Sequence, residues 1–185
     1  LNIPSISFSW RGESTLYSAL DESGNKITFP DVLNYARKKN ILEITSLTHG
    51  QLIDETMAKK IVEAEPTWIS FSIDGMRNEY NKIRTPPNVK DEKYDAFEKV
   101  SNSIILIDHF KKELNKSRPI IRTNTIFPAV KDTFKDYCKY FKKIGVNMIT
   151  VNEILDYRHL RTPEELIREN WSCQYPFQRL TISAN

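Results

Sequence analysis

Short apolar runs alternate with longer stretches whose apolar positions recur at helical spacing, and this alternation predicts most of the chain's elements. Residues 5–10 read as a buried strand rich in Ile, Phe and Ser. Residues 41–47, 67–72, 119–126 and 147–151 read as further strands. Phe29-Pro30-Asp31 opens a helix that runs to about Asn40, with Val32, Leu33 and Ala36 at core spacing and Pro30 in the first turn. A second helix covers 54–65 and stops before Pro66. A short helix at 77–84 is broken off by Thr85-Pro86-Pro87-Asn88. A longer one follows over 93–115, with Phe97, Val100, Ile104, Ile105 and Phe110 on its apolar side. The last helix runs over 130–144 and is capped by Gly145. The segment from 11 to 28 carries the turn formers Asp21, Ser23, Gly24 and Asn25, and reads as a surface connection.

Alternation of strand and helix at this spacing implies an α/β fold of mostly parallel strands with helices on the outside. About five core strands do not support a closed eight-stranded barrel. They support an open or partial one. Each strand also carries a short polar signature at or near its end: Gly12-Glu13-Ser14, Thr48-His49-Gly50, Ser72-Ile73-Asp74-Gly75, Arg122-Thr123-Asn124 and Val151-Asn152-Glu153. A β/α barrel assembles its site from such strand ends. No low-complexity or disordered stretch divides the chain, and its style changes after Arg161.

Composition narrows this picture slightly. At 185 residues, with 39% apolar and 28% charged residues, the chain is one soluble-type domain or a piece of a larger protein. A net charge of +3, spread over pairs such as Lys38-Lys39, Lys111-Lys112 and Lys142-Lys143, gives no indication of nucleic-acid binding. No apolar run approaches the roughly 18 residues of a membrane span, so no membrane partner is expected and the expected compartment is the cytoplasm. The start, Leu1-Asn2-Ile3-Pro4, is neither a signal peptide nor an initiator methionine, so the chain is expected to begin inside a longer protein. Cys138 and Cys173 are too few for a disulfide framework and too far apart for a local metal motif. Cys138 reads as a packed helical thiol. Cys173 sits in Trp171-Ser172-Cys173-Gln174-Tyr175-Pro176-Phe177, directly before a strand-like 179–183.

The polar residues leave alternatives open one by one. Glu13, after a glycine, can accept from a ligand ammonium group or pair with neighbouring Arg11. His49 can be a ligand or a base, or neither, and no second histidine stands at metal spacing. Ser72 and Asp74 alternate, which suits a pair of ribose hydroxyls or a strand end that caps the next helix through Asp74. Arg122 interrupts an apolar strand and needs an anion, from a ligand carboxylate or from an acidic partner inside the fold.

The order of these signatures resembles the radical S-adenosylmethionine superfamily. The run is Gly12-Glu13, then Thr48-His49-Gly50, then Ser72-Ile73-Asp74-Gly75 followed by Tyr80-Asn81-Lys82-Ile83-Arg84. It looks closest to the branch with a C-terminal extension bearing auxiliary cluster ligands, the SPASM and twitch type. The resemblance covers residues 3–155 and, more loosely, 171–185. The usual Gly-Gly-Glu-Pro stands here as Arg11-Gly12-Glu13-Ser14, and the usual Thr-Asn-Gly as Thr48-His49-Gly50.

The resemblance implies a partial (β/α)6 TIM-like barrel whose first strand is missing. Residues 1–160 would be the core and 161–185 the start of the extension. It implies that Gly12 and Glu13 hold the ammonium group of S-adenosylmethionine and that Thr48 lines the same cavity. Ser72 and Asp74 would lie near the ribose, Arg122 near the methionine carboxylate, and Val151 and Asn152 would contact the adenine by backbone. The family's CxxxCxxC, which holds a [4Fe–4S] cluster, has no match in this chain and is expected upstream. Cys173 would be the first auxiliary-cluster ligand, or else a buried thiol beside Trp171 and Phe177. The implied activity is reductive cleavage of S-adenosylmethionine to a 5′-deoxyadenosyl radical that removes hydrogen from a peptide, protein or small-metabolite substrate, with an external electron donor. The fragment itself is expected to be inactive. Two other readings stand beside this one: a non-radical β/α-barrel hydrolase or lyase using Glu13, His49 and Asp74, and an inactive barrel serving as a binding scaffold.

Overall fold

In a computed structural model, the described residues are 3–9, 12–89, 91 and 93–153. In chain order they form β1 (Ser5–Ser7), a 3₁₀ turn (Ser14–Leu16), β2 (Ser18–Leu20), β3 (Lys26–Thr28), α1 (Phe29–Lys38), β4 (Glu43–Thr48) and α2 (Glu55–Ala64). There follow β5 (Trp68–Ser72), α3 (Arg77–Arg84), α4 (Ala96–Glu113), β6 (Ile120–Ile126), α5 (Phe127–Val130), α6 (Phe134–Lys143) and β7 (Met148–Asn152).

Five strands form one parallel sheet in the order β1-β4-β5-β6-β7, so each new strand joins the same edge. The expected α/β class with a parallel central sheet is therefore present. The pleat sorts its residues. Ile44, Ile69, Phe71 and Ile121 are fully buried and belong to one apolar core with Leu33, Ile61, Ile104, Ile107 and Phe141 from the helices. Successive helices lean on one another, α1 on α2 and both α2 and α3 on α4. Residues of the opposite parity, among them Ser7, Thr45, Trp68, Ser70, Arg122 and Asn124, line a hollow of about 180 Å³.

Residues 12–28 stay largely exposed, as a surface connection should, but they are more than a connection. They contain an antiparallel hairpin, with Ser18 opposite Thr28 and Leu20 opposite Lys26. The turn formers are its loop: Asp21 accepts hydrogen bonds from the backbone N–H groups of Ser23 and Asn25, at 2.9 and 2.8 Å. A correction divides the predicted helix 130–144. α5 starts at Phe127 directly at the end of β6, with Pro128 in its first turn, and α6 begins afresh at Phe134. The long helix starts at Ala96 because the Asp95 side chain caps it by accepting the Glu98 N–H at 3.0 Å.

Candidate functional site

Glu13 lies where the chain leaves β1 and turns toward the hairpin. Its turn is tied to the sheet through the Phe8 carbonyl, which accepts from the hydroxyls of Ser14 and Ser46, the latter at 2.9 Å. Gly12 sits at φ +87 with open space where a Cβ would point among the described residues. A side chain there would be strained but would strike nothing, so the backbone is approachable.

The Glu13 carboxylate is held from both sides. Its Oε1 accepts from the Thr15 N–H at 3.1 Å, the Thr15 hydroxyl at 2.7 Å and the Thr48 hydroxyl. Its Oε2 accepts the His49 N–H at 2.9 Å. Burial pushes the carboxyl pKa up, but the Thr48 hydroxyl, the His49 N–H and the Thr15 donors together outweigh it and leave the pKa below the ordinary value. The group is therefore a fixed anion at neutral pH. Its side chain keeps 12% exposure, an opening for a cationic donor.

Thr48, buried at the end of β4, links this carboxylate to the next turn, because its hydroxyl also accepts the Gly50 N–H at 2.9 Å. His49 Nδ1 accepts the Gln51 N–H at 3.0 Å, which puts the neutral ring's proton on Nε2, 3.5 Å from Glu13 Oε2. Behind this turn, Gln51 is fixed by Tyr94 and by the Arg84 carbonyl, at 2.7 and 3.1 Å.

Asp74 is paired inside the fold. Buried just past β5, it accepts from Arg84 Nε at 3.1 Å and forms an ion pair with the same guanidinium. It does not cap α3, whose N-cap is Met76. Ser72 stays half-buried at the end of β5, in register with Asn124. Asn124 accepts from the Asn152 side-chain amide at 2.7 Å, while Val151 packs against the core. These positions place Glu13, Thr48 and His49 in contact and line up Ser72, Asn124 and Asn152. No hydrogen bond joins Asp74 to Ser72 among the described residues.

Arg122 is half-buried on the open face of β6. Its Nε donates to the Thr150 hydroxyl at 2.8 Å, and its guanidinium lies 4.5 Å from the centre of the Trp68 ring. No ion pair reaches it among the described residues. Trp68 and Thr150 had escaped the sequence reading. The signal was available in the alternation of Trp68, Ser70 and Ser72 with Ile69 and Phe71, which marks a polar face on β5.

No family model matches the chain. Over 55 residues it is 40% identical to the Fe-coproporphyrin III synthase of Methanosarcina barkeri (strain Fusaro / DSM 804), covering 30% of this chain and 14% of that protein. The native anSMEcpe structure with bound AdoMet and Cp18Cys peptide superposes with a TM-score of 0.56 and 25% identity, covering 84% of this chain and 39% of the other. The likeness is to the radical S-adenosylmethionine superfamily. A polyhistidine-tagged form of anSMEcpe with bound AdoMet, at 23% identity and a TM-score of 0.55, shares the fold over 84% of this chain and 37% of its own. The chain thus spans well under half the length of these radical S-adenosylmethionine relatives, which are enzymes.

S-adenosylmethionine presents an ammonium group and a carboxylate on one carbon. Among the described residues Glu13 is a carboxylate kept charged, and Arg122 is a cation without an ionic partner. The cluster of the superfamily finds no match here: among the described residues, no three of His, Cys, Asp and Glu are grouped to hold a metal ion. Cys138 is a half-buried thiol on α6. Cys173, Arg11 and the whole of 154–185, including the expected extension, lie outside the described residues. Among the described residues no helix is long and apolar enough to cross a membrane.

Proposed function

We propose that this chain forms the S-adenosylmethionine-binding part of a radical enzyme, in which Glu13 receives the ligand's ammonium group and Arg122 its carboxylate. The observation that carries the reading is Arg122. A guanidinium set on an aromatic ring and fixed by Thr150, with no carboxylate paired to it among the described residues, is an anion site waiting for a partner. Gly12 admits the ligand to the backbone, Thr48 holds Glu13 in place, and Ser72 faces the ribose. Val151 and Asn152 bound the adenine side. Asp74 acts on the ribose side through the Arg84 pair that fixes its position.

On this reading the five parallel strands belong to a partial (β/α)6 barrel. Residues 161–185 begin a SPASM or twitch-type extension, with Cys173 as an auxiliary ligand. The ligands of the main cluster come from residues other than those described. A reduced [4Fe–4S] cluster held there would supply the electron that turns bound S-adenosylmethionine into a source of a hydrogen-abstracting radical. This chain's residues bind, orient and shield the ligand. The peptide bound in the anSMEcpe structure favours a peptide or protein substrate over a small metabolite, with electrons from an external donor. The hydrolase or lyase alternative is weaker, because His49 Nδ1 is taken by the Gln51 N–H and the Glu13 carboxylate is already held by donors from Thr15, Thr48 and His49.

Decarboxylated S-adenosylmethionine separates the two charges. A charge-assisted hydrogen bond contributes about 1.5–3 kcal/mol, so the wild-type protein is expected to bind the decarboxylated analogue roughly 10- to 100-fold more weakly. Arg122→Met should bind both ligands equally poorly. If Arg122→Met still prefers the carboxylated ligand, the anion is held elsewhere and this assignment of Arg122 is wrong.

A further inference from the structure

The strand-end turn after β4 carries a histidine whose ring is built against the anion of the site. Glu13 Oε2 accepts only the His49 backbone N–H among the described residues, and its remaining edge faces His49 Nε2 at 3.5 Å. That spacing is too long for a strong hydrogen bond. It is short enough that a charge on the ring would act directly on the carboxylate. The ring is oriented by its other nitrogen, which accepts the Gln51 N–H, and the His49 side chain keeps 28% exposure. Protonation would put a second donor opposite the Gln51 N–H and a cation beside Oε2.

We infer that His49 is a positioning residue that makes occupancy of Glu13 by a primary-ammonium ligand proton-dependent: the neutral ring makes only a long, uncharged Nε2–H approach to the carboxylate edge, and the protonated ring, as a cation, competes for it. This rests on the reading of Glu13 as the ammonium acceptor. It goes beyond that reading by giving a role to the residue at which Thr48-His49-Gly50 departs from the usual Thr-Asn-Gly.

The other groups packed around His49 do not supply such a response. From α3, the Tyr80 hydroxyl donates to the His49 carbonyl at 3.2 Å, and burial pushes its pKa up to about 12. Tyr94, whose pKa is also raised by burial, and the paired Asp74 and Arg84 meet this turn through Gln51 and Tyr80. Thr48 and Gln51 carry no titrating group. Glu13 itself stays ionised well into acid, because its hydrogen bonds outweigh the upward pull of burial. Among these groups the His49 ring is the one that can take up a second proton, on the Nδ1 that now accepts the Gln51 N–H.

The test is calorimetric titration of S-adenosylmethionine into the full native protein at pH 7.5 and 5.5, for wild type, His49→Asn and His49→Gln. Asn or Gln offers an amide oxygen to the Gln51 N–H and cannot take up a proton. The ligand's own ionisation is common to all three proteins. Wild-type affinity is expected to fall roughly tenfold more than that of either variant between these pH values, one proton being linked to release. Equal pH dependence in wild type and in a folded variant overturns the inference and leaves Glu13 as the acceptor. Absence of binding to all three at pH 7.5 overturns the Glu13 reading and this inference together.

Discussion

Glu13→Gln should weaken S-adenosylmethionine binding about 10- to 100-fold, the worth of one charge-assisted hydrogen bond in a partly enclosed site. The amide oxygen can still accept from the Thr15 and Thr48 hydroxyls, so the turn keeps most of its anchors. The amide NH₂ would then face the His49 N–H, setting donor against donor, and offers no charge to an ammonium group. The same variant has a pH signature. A carboxyl whose pKa is depressed in the folded state contributes stability above its unfolded pKa and loses it as the pH falls through the folded value. Wild type should therefore lose stability in acid more steeply than Glu13→Gln. Isothermal titration at pH 7.5 and thermal melts from neutral pH into acid check both parts. Unchanged binding in the variant would make Glu13 a turn carboxylate and nothing more.

Gly50→Ala is expected to be the most disruptive small substitution at the site, costing about 2–5 kcal/mol. Its Cβ would lie 2.5 Å from Phe71 Cδ1 and 3.0 Å from Val100 Cγ2. Phe71 is fully buried in the core and cannot swing away. Overpacking of this kind costs about 1–3 kcal/mol, and the left-handed φ of +74 adds roughly 1–2 more for a residue with a side chain. The damage should reach the ligand. The Gly50 N–H donates to Thr48, the Gly50 carbonyl accepts from Ser103 at 2.6 Å, and Thr48 holds Glu13. Denaturant titration should show a lower midpoint with an unchanged slope, together with weaker S-adenosylmethionine binding. A midpoint equal to wild type would mean that this turn is not braced by β5 and α4 as described.

The strands of the main sheet were legible because β-branched and aromatic apolar residues recur along one face of each short segment between helical stretches. Residues 67–72 and 119–126 became Trp68–Ser72 and Ile120–Ile126 with little change. The hairpin was hidden because each of its strands is only three residues long and half polar. At the site, the order of signatures was readable, and so was the isolation of Arg122 as a cation in an apolar strand. The Asp74–Arg84 pair was not, since it joins residues ten apart across a turn and a helix. The assumption that Ser72 and Asp74 share a face continued the pleat beyond its end. Strand β5 stops at Ser72, and Gly75 at φ +93 redirects the chain. The stacking of Arg122 on Trp68 was equally invisible, because it depends on the register of two strands paired some fifty residues apart.

The most direct measurement is a crystal structure of the native protein with S-adenosylmethionine, prepared without oxygen. The amino-acid end of the ligand should bridge the two charges, with its ammonium within about 3.2 Å of Glu13 Oε2 and its carboxylate on the Arg122 guanidinium. A ligand bound elsewhere, with Glu13 still held only by Thr15, Thr48 and His49 and Arg122 still resting on Trp68 without an anion, would contradict the proposed function.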